Sequence, residues 1–351
     1  MLFLIPFLIS AIVSLIVTPL VAKLAYNFKF VDNPKTHKHP AIIHRQTLAR
    51  AGGVALWISI ISAIFFTVDI DKKVLGIIMA GTLTLIVGTL DDKYEISPYV
   101  RFLFNILTGL TLVIFGVGID AITNPFGGII QLDLYRINLL GQDLSVLKSI
   151  FTILWTVWVM NMLNWSKGVD GQMPGVVFVA AVVLAIVSFK FLPNDPTQIV
   201  PAKLSLITAG ATLGFLFYNF YPAKILPGYG ATVLGLMLAA ISILSAGKIA
   251  TAILVLAVPM ADGVFTIIRR LSLRRSPFWG DREHLHHLLL DLGWNQRQIA
   301  LFYATCCAIL GTIALNLKSL GKLFALSLIF TLIFGSILWL RLFLKTKTSQ
   351  D

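Results

Sequence analysis

Long apolar runs recur along the whole chain of 351 residues and are separated by short polar segments. A run of about 20 apolar residues is long enough to cross the hydrocarbon core of a bilayer as a helix. The pattern predicts an all-α integral membrane protein with about eleven transmembrane helices, in a single polytopic domain covering residues 1–351. The predicted spans are 2–22, 52–68, 74–90, 100–119, 149–165, 173–192, 201–217, 230–246, 249–268, 299–317 and 323–343.

One connecting segment, 119–148, is much longer than the other loops on its side of the predicted bundle. Residues 129–137 partly alternate between apolar and polar side chains, which is typical of a β-strand with one covered face. The alternation predicts a short hairpin near residues 129–140.

Composition and charge support a membrane protein and give it an orientation. The chain is 57% hydrophobic and only 13% charged, whereas soluble domains carry about 25% charged residues. Of its 28 Lys and Arg residues, 19 fall in the alternate set of loops that begins with residues 23–50. Basic loops favour the cytoplasmic side, so we expect a multi-pass plasma-membrane protein with its N-terminus outside and its C-terminus in the cytoplasm. No nucleic-acid-binding motif is present.

Polar residues capable of chemistry collect at the predicted cytoplasmic ends of the spans, and this pattern indicates a single cleft built by five segments. Each motif also has a plain structural interpretation, as a solvated turn, a helix cap or a basic loop. Asp262 differs, because an ionisable residue inside a span is costly and needs a reason. The five segments contain Asp91-Asp92, Asn161 to Gly171, Tyr218 to Lys224, Asp262, and Asp281 to His287.

Acids, amides, basic residues and histidines at a membrane surface suit phosphate chemistry. Carboxylate and amide oxygens can hold Mg²⁺, and Mg²⁺ with basic side chains neutralises phosphate charge during transfer. A carboxylate or histidine can position or deprotonate an attacking group. A site at the membrane interface would take a membrane lipid as acceptor.

Read in order, these motifs resemble the polyprenyl-phosphate N-acetylhexosamine-1-phosphate transferases, known as glycosyltransferase family 4, over nearly the whole chain. The resemblance implies transfer of a sugar-phosphate from a UDP-sugar to a polyprenyl (undecaprenyl) phosphate, with release of UMP, in the first membrane step of cell-envelope glycan synthesis. The last motif is more similar to the branch that uses UDP-N-acetylglucosamine. The matching segments are Val31 to Lys35, Ala51 to Gly53, Asp91-Asp92 with Ser97-Pro98, Asn161 to Gly171, Asn219 with Pro222 to Lys224, and Asp281 to Leu289.

The resemblance also implies roles for individual residues, with Mg²⁺ as cofactor. Asp91 and Asp92 would act at the phosphates as the catalytic pair, one of them as candidate base toward the lipid phosphate. Asn164 would help to ligate Mg²⁺, while the resemblance leaves open whether the chain forms a homodimer. The implied substrate-binding residues are Arg101 for the pyrophosphate, Asp170 for the nucleotide, Asn219, Lys224, and Arg282 with His284, His286 and His287 for phosphates or sugar.

Two positions depart from the family pattern. The family usually has an aspartate before Gly168, where this chain has Lys167. After Pro-Ala-Lys the family has a glycine–aspartate–x–glycine–serine loop whose aspartate is a principal Mg²⁺ ligand. By register that aspartate position is Gly228 and the serine position is Ala231, so a metal ligand is missing.

Three functional hypotheses follow from these observations. The first is an active transferase with an altered metal site, in which Asp170 or Asp262 replaces the ligand or Lys167 carries part of the metal's charge role. The second is a catalytically degraded member that binds lipid or nucleotide or serves as a partner subunit. The third is a transporter, which would place its charges near the bilayer midplane rather than at one surface. The retained aspartate pair and histidine motif favour the enzyme.

Overall fold

The computed structural model describes residues 3–35, 43–124, 126–139, 142–245 and 249–348, and these residues are predominantly helical. The first six helices are α1 Leu4–Asn27, α2 Gly52–Thr67, α3 Lys72–Tyr94, α4 Pro98–Ile114, α5 Val146–Trp165 and α6 Gln172–Phe191. The others are α7 Ile199–Asn219, α8 Gly230–Leu244, α9 Ile249–Val255, α10 Ala257–Ser272, α11 Leu285–Asp291, α12 Gln296–Asn316 and α13 Ser319–Thr348. A turn of 3₁₀ helix, Pro196–Gln198, leads into α7.

Within the described ranges, seven helices are long and apolar enough to cross a membrane, and an eighth crossing is counted if the bent pair α9–α10 is one span. The chain is therefore a multi-pass membrane protein. Helices α2, α4 and α8 are apolar but only 15 to 17 residues long. Each predicted span coincides with one of these helices or with the bent pair, although residues 2 and 246 lie outside the described residues.

The predicted single span over 249–268 is wrong in shape, because α9 and α10 meet at an angle of 81°. Pro259 lies in the first turn of α10, where its missing N–H is tolerated. A continuous helix would bring its ring against the carbonyl of Val255, the last residue of α9. The bend sends α10 and its Asp262 toward the polar end of the bundle.

Burial follows the apolar pattern of each helix. Helix α8 is apolar on all sides and almost every residue in it is buried, as expected for a helix surrounded by others. It packs against α5 and α3, and α7 packs against α1 and α6. In contrast, α13 exposes most of its apolar side chains, which fits a surface that faces lipid.

Short strands close both ends of the bundle. At one end, β1 Val31–Asp32 pairs antiparallel with β2 Leu48–Arg50, and β2 pairs parallel with β7 Ile225–Leu226. At the other end, β3 Ala121–Thr123 pairs with β4 Ile129–Gln131, and β5 Arg136–Leu139 pairs with β6 Gln142–Ser145.

The hairpin predicted near 129–140 is thus replaced by two hairpins, one on each side of residues 132–135. Gly127 and Gly128 have positive φ angles and close the first hairpin, because such angles favour glycine. Residue 140, the predicted end of the hairpin, lies outside the described residues.

Candidate active site

A cavity of about 570 Å³ opens where the C-terminal end of α3, the N-terminal end of α4, the C-terminal ends of α5 and α10 and the three-stranded sheet meet. The segments predicted to form one cleft all reach this region, and three of them contribute to the cavity wall. Its charged and polar lining side chains are Asp32, His44, Arg50, Asp91, Glu95, Arg101, Asn164, Lys167, Asp170, Arg270, Asp281, His284, His286 and His287.

The two adjacent aspartates at the end of α3 point in different directions, because successive side chains on a helix diverge by about 100°. Asp91 lines the cavity, and its Oδ2 accepts a hydrogen bond from Arg101 Nη1 at 3.2 Å. Its buried Oδ1 has no hydrogen-bond partner in the described part of the chain. Asp91 therefore presents an unsatisfied carboxylate oxygen at the cavity wall.

Asp92 is held behind the wall rather than in it. Its Oδ1 accepts from Arg50 Nε at 3.0 Å and its Oδ2 accepts from the Tyr229 backbone N–H at 3.0 Å. The side chain of Asp92 is only 5% exposed. These contacts make Asp92 an anchor that joins α3 to β2 and to the turn before α8.

Lys167 and Gly228, the two departures from the family pattern, are in direct contact. Lys167 Nζ donates a hydrogen bond to the Gly228 carbonyl oxygen at 2.9 Å. Burial and the nearby Arg50 guanidinium lower the pKa of Lys167 to about 8, although Asp92 opposes this shift. Gly228 has a φ of +55°, and a Cβ at this position would overlap Asp92 Oδ2. Gly228, predicted to stand in place of a metal ligand, thus lies in a tight turn against Asp92.

Asn164, at the C-terminal end of α5, and Asp170, in the α5–α6 connection, also line the cavity. Asn164 Oδ1 is buried and has no hydrogen-bond partner among the described residues. Asp170 Oδ2 accepts from the Ala223 backbone N–H at 3.0 Å. Burial raises the pKa of Asp170 against the opposing effect of that hydrogen bond.

Asn219 and Lys224, both predicted to bind substrate, do not line the cavity. Asn219 is buried, where its Oδ1 accepts from the Gly171 N–H at 3.1 Å and its Nδ2 donates to the Ile225 carbonyl at 2.8 Å. It therefore fastens the α5–α6 connection to β7. Lys224 is exposed, and its role in substrate binding stays a prediction.

The histidine motif brings three imidazoles into the cavity wall. The rings of His284 and His286 stack with centroids 5.6 Å apart, and His287 lies 4.3 Å from His286. Gly168 packs directly beneath His286, where a Cβ would overlap the ring. Burial, with Arg282 nearby, lowers the pKa of His287 to about 4, and burial lowers that of His286 well below its ordinary value. Both rings are therefore neutral at pH 7.

Asp262 is explained by its contact with this motif. Its Oδ2 lies 2.9 Å from His284 Nδ1, and its Oδ1 accepts from the Leu285 backbone N–H at 2.9 Å. An ionised carboxylate can only accept, so this pair places the proton on Nδ1 and fixes the orientation of the ring. Sequence reasoning marked Asp262 as costly but did not identify its partner.

At two basic residues the structure differs from the site predicted from the sequence. Arg282 is exposed and pairs with Asp291 at 3.4 Å, outside the cavity lining. Arg50 was not among the predicted site residues, yet it lines the cavity and holds Asp92. The signal for it in the sequence is its position just before Ala51-Gly52-Gly53, a segment that matched the family.

The cavity contains oxygen donors that fit Mg²⁺, but few of them. Asp91 Oδ1 and Asn164 Oδ1 are both buried and lack a partner in the described ranges, and Mg²⁺ is commonly held by one or two protein oxygens together with water and substrate phosphates. Among the described residues, no group of three His, Cys, Asp or Glu side chains is placed to hold a metal ion.

Comparison of the sequence with known proteins shows which proteins the chain is similar to. Residues 74–246 match the model of glycosyl transferase family 4. The chain is 29% identical over 335 residues to a probable undecaprenyl-phosphate N-acetylglucosaminyl 1-phosphate transferase of Bacillus subtilis, covering 93% of this chain and 88% of that protein. It is 30% identical over 324 residues to decaprenyl-phosphate N-acetylglucosaminephosphotransferase of Mycobacterium leprae, covering 84% and 78%.

A more distant relative is similar over almost its full length. The undecaprenyl-phosphate alpha-N-acetylglucosaminyl 1-phosphate transferase of Thermotoga maritima is 24% identical over 338 residues, which cover 90% of this chain and 99% of that protein. The resemblance inferred from the motifs is confirmed, and the chain belongs to glycosyl transferase family 4, together with these polyprenyl-phosphate N-acetylglucosamine-1-phosphate transferases.

Proposed function

We propose that the protein transfers N-acetylglucosamine-1-phosphate from UDP-N-acetylglucosamine to a polyprenyl phosphate, of the undecaprenyl type, with release of UMP. The observation that carries this proposal is the unsatisfied Oδ1 of Asp91 in the wall of a cavity that is also lined by Arg50, Arg101, Lys167 and Arg270. Cationic walls with a fixed carboxylate suit two phosphorylated substrates. The names of the relatives support the same transferred group and a polyprenyl-phosphate acceptor.

In the proposed reaction, an oxygen of the lipid phosphate attacks the phosphorus that bears the sugar. A new P–O bond forms, and the bond from that phosphorus to the bridging oxygen breaks, so UMP departs with the electron pair. A phosphate monoester has its second pKa near 6, so most of the acceptor is already doubly ionised at pH 7. Asp91 accepts the proton from the remaining fraction and orients the attacking oxygen.

The other residues of the site bind the substrates and fix their charges. Arg101, held by Asp91, reaches the diphosphate, and the neutral His286 and His287 donate N–H groups to phosphate or sugar oxygens. Asp170 contacts the nucleotide. Asp91 and Asn164 would hold Mg²⁺, which would supply additional positive charge at the phosphates when bound.

For the membrane arrangement we propose eleven spans, with α2, α4, α8 and the bent pair α9–α10 counted as crossings beside the seven long helices. The N-terminus would lie outside, the C-terminus in the cytoplasm and the cavity at the cytoplasmic face of the plasma membrane. The excess of Lys and Arg in the loops on the cavity side supports this orientation.

Labelling of single cysteines tests the orientation. In a Cys306→Ser/Cys307→Ser background, Arg275→Cys in the exposed α10–α11 connection should react with a membrane-impermeant maleimide only from the cytoplasmic side. Leu134→Cys, which is exposed in the segment between the two hairpins, should react only from outside. The reverse pattern would invert the topology and remove the cavity from the side that holds UDP-sugars.

Release of UMP tests the activity. The purified full-length protein in detergent would be given UDP-N-acetylglucosamine, undecaprenyl phosphate and Mg²⁺, with Asp91→Asn beside it. We expect release that requires the lipid and is lost in the variant. A protein that binds both substrates but releases no UMP would instead be the non-catalytic relative.

A further inference from the structure

Four cationic side chains of the described residues line the cavity, and Lys167 differs from the other three in its partner. Each of the three arginines forms an ion pair with an aspartate, whereas no carboxylate of the described residues forms an ion pair with Lys167. Lys167 Nζ is hydrogen-bonded to one backbone carbonyl, that of Gly228. The three ion pairs are Arg50–Asp92, Arg101–Asp91 and Arg270–Asp281.

An ammonium group without a counter-ion is unfavourable in a partly buried site, because burial removes water that would solvate its charge. A carbonyl oxygen satisfies only one of its three N–H donors. The neighbouring carboxylate of Asp92 compensates only in part, since it is already paired with Arg50 and accepts from the Tyr229 N–H. The cost of burying Lys167 is recovered when an anion enters the cavity.

The turn that contacts Lys167 also holds the amine in place. Gly228 and Pro227 line the same cavity, and the turn is anchored to α3 through the bond between the Tyr229 N–H and Asp92. Lys167 Nζ is therefore tethered to the wall rather than extended into solvent. A tethered cation loses little conformational entropy when it binds a ligand.

We propose that the Lys167 ammonium is a built-in cation that binds a phosphate oxygen of the ligand in this cavity, and that it supplies there part of the charge that a metal ion would otherwise bring. The inference rests on the proposed function, which places two phosphorylated substrates in the cavity. It fits the small number of metal-ligating oxygens in the cavity, because a fixed ammonium supplies positive charge without needing them.

The two phosphate sources, the diphosphate of the nucleotide sugar and the headgroup of the lipid acceptor, can be separated by binding measurements without turnover. Isothermal titration calorimetry on the full-length protein in detergent, with EDTA present, would measure the dissociation constants of UDP and of undecaprenyl phosphate. The test variant is Lys167→Gln, which keeps an N–H donor for the Gly228 carbonyl but removes the charge. The matched control is Lys23→Gln, which removes the same charge from an exposed position on α1.

Loss of a charge-assisted hydrogen bond should weaken binding by about 10- to 100-fold. If Lys167 contacts the nucleotide, Lys167→Gln loses affinity for UDP and Mg²⁺ restores much of it. If it contacts the acceptor, the loss appears with undecaprenyl phosphate instead. In both cases Lys23→Gln should bind like the wild type.

The inference is overturned if Lys167→Gln binds both ligands in EDTA as tightly as the wild type, since Lys167 would then only brace the turn. If Lys167→Gln does not fold, Lys167→Met is measured by the same criteria after a thermal melt has shown it to be folded. A wild-type protein that binds neither UDP nor undecaprenyl phosphate, with or without Mg²⁺, would overturn the proposed function itself and this inference with it.

Discussion

Charged cavities lie at opposite ends of α4, and they differ in burial more than in charge. The smaller, of about 230 Å³, is lined by Asp120, Asp133, Arg136, Asp143 and Lys148 near the two hairpins. Its acidic and basic residues form ion pairs too, but these pairs are open to solvent. The side chain of Asp120 is 68% exposed, whereas that of Asp91 in the larger cavity is 3% exposed.

The difference shows that a count of charges does not identify a reactive site. Solvent screens an exposed pair such as Lys148–Asp120, and such pairs change stability little. In the larger cavity, oxygens of Asp91 and Asn164 are buried without partners among the described residues, and a buried unsatisfied polar group is unfavourable until something binds to it. A ligand that completes these groups gains more binding energy there than at the solvated end.

Removing one carboxylate from each cavity should give the largest contrast. Asp91→Asn should lower UMP release by about 100- to 10 000-fold, because the neutral amide cannot accept a proton or balance Arg101. Asp133→Asn removes the same charge at the other end and should leave the rate unchanged. Steady-state assays on both variants measure this, and equal losses would show that the cavity at the end of α3 is not the reactive one.

Loss of the Asp262 carboxylate, which orients the His284 ring, should have the next largest effect on the rate. In Asp262→Asn the amide can donate to Nδ1 and so favour the wrong tautomer, which should lower kcat on the order of 100-fold while KM for the nucleotide sugar changes little. Thr266→Val is the matched control, since it removes a hydroxyl that lies 3.3 Å from the same Nδ1 but keeps the carboxylate. Comparable losses in both variants would indicate a packing defect rather than a positioning role.

Most of the polar residues predicted from the sequence do surround the cavity. The ends of the spans and the positions of the charges can be predicted because both depend on local sequence. The direction of each side chain is not. Asp91 and Asp92 are neighbours of the same type, yet only Asp91 lines the cavity, since Arg50 and the Tyr229 N–H come from distant segments and hold Asp92. The pairing of Asp262 with His284 likewise depends on the bend between α9 and α10.

Each cavity is also lined by a lysine, and only the lysine of the larger cavity should make ligand affinity depend on pH. Lys167 is protonated below its pKa of about 8, so the affinity in EDTA for the ligand that it contacts, UDP or undecaprenyl phosphate, should fall by about tenfold as pH rises from about 7 to 9.5. The charged groups that act on Lys167 are Arg50, Asp91, Asp92 and Arg101. Calorimetry should show the decline in wild type and in Lys148→Gln but not in Lys167→Gln, and a decline that persists in Lys167→Gln would assign the titration to another group.

The smallest expected difference is in stability, between alanine variants of two glycines. Gly228 and Gly116 both have positive φ angles, but a Cβ would meet Asp92 only at Gly228, and it would meet nothing at Gly116. Gly116→Ala should cost about 1 kcal/mol of unfolding free energy from backbone strain, and Gly228→Ala about 1–3 kcal/mol more from overlap. Thermal melts in detergent would rank them, and equal shifts would mean that the turn at Gly228 is not tightly packed.

The parallel pairing of β2 with β7 has a consequence for biosynthesis. Arg50 lies opposite Leu226 in that sheet. One wall of the cavity is therefore built from two segments that are far apart in the sequence and are synthesised at different times. Contacts between distant segments form late, and the histidine segment is made later still. While the chain is being inserted, Arg50 and Asp92 are therefore made before the turn whose Tyr229 N–H binds Asp92. A nascent chain that stops before α8 carries most of the charges of the cavity but cannot assemble it.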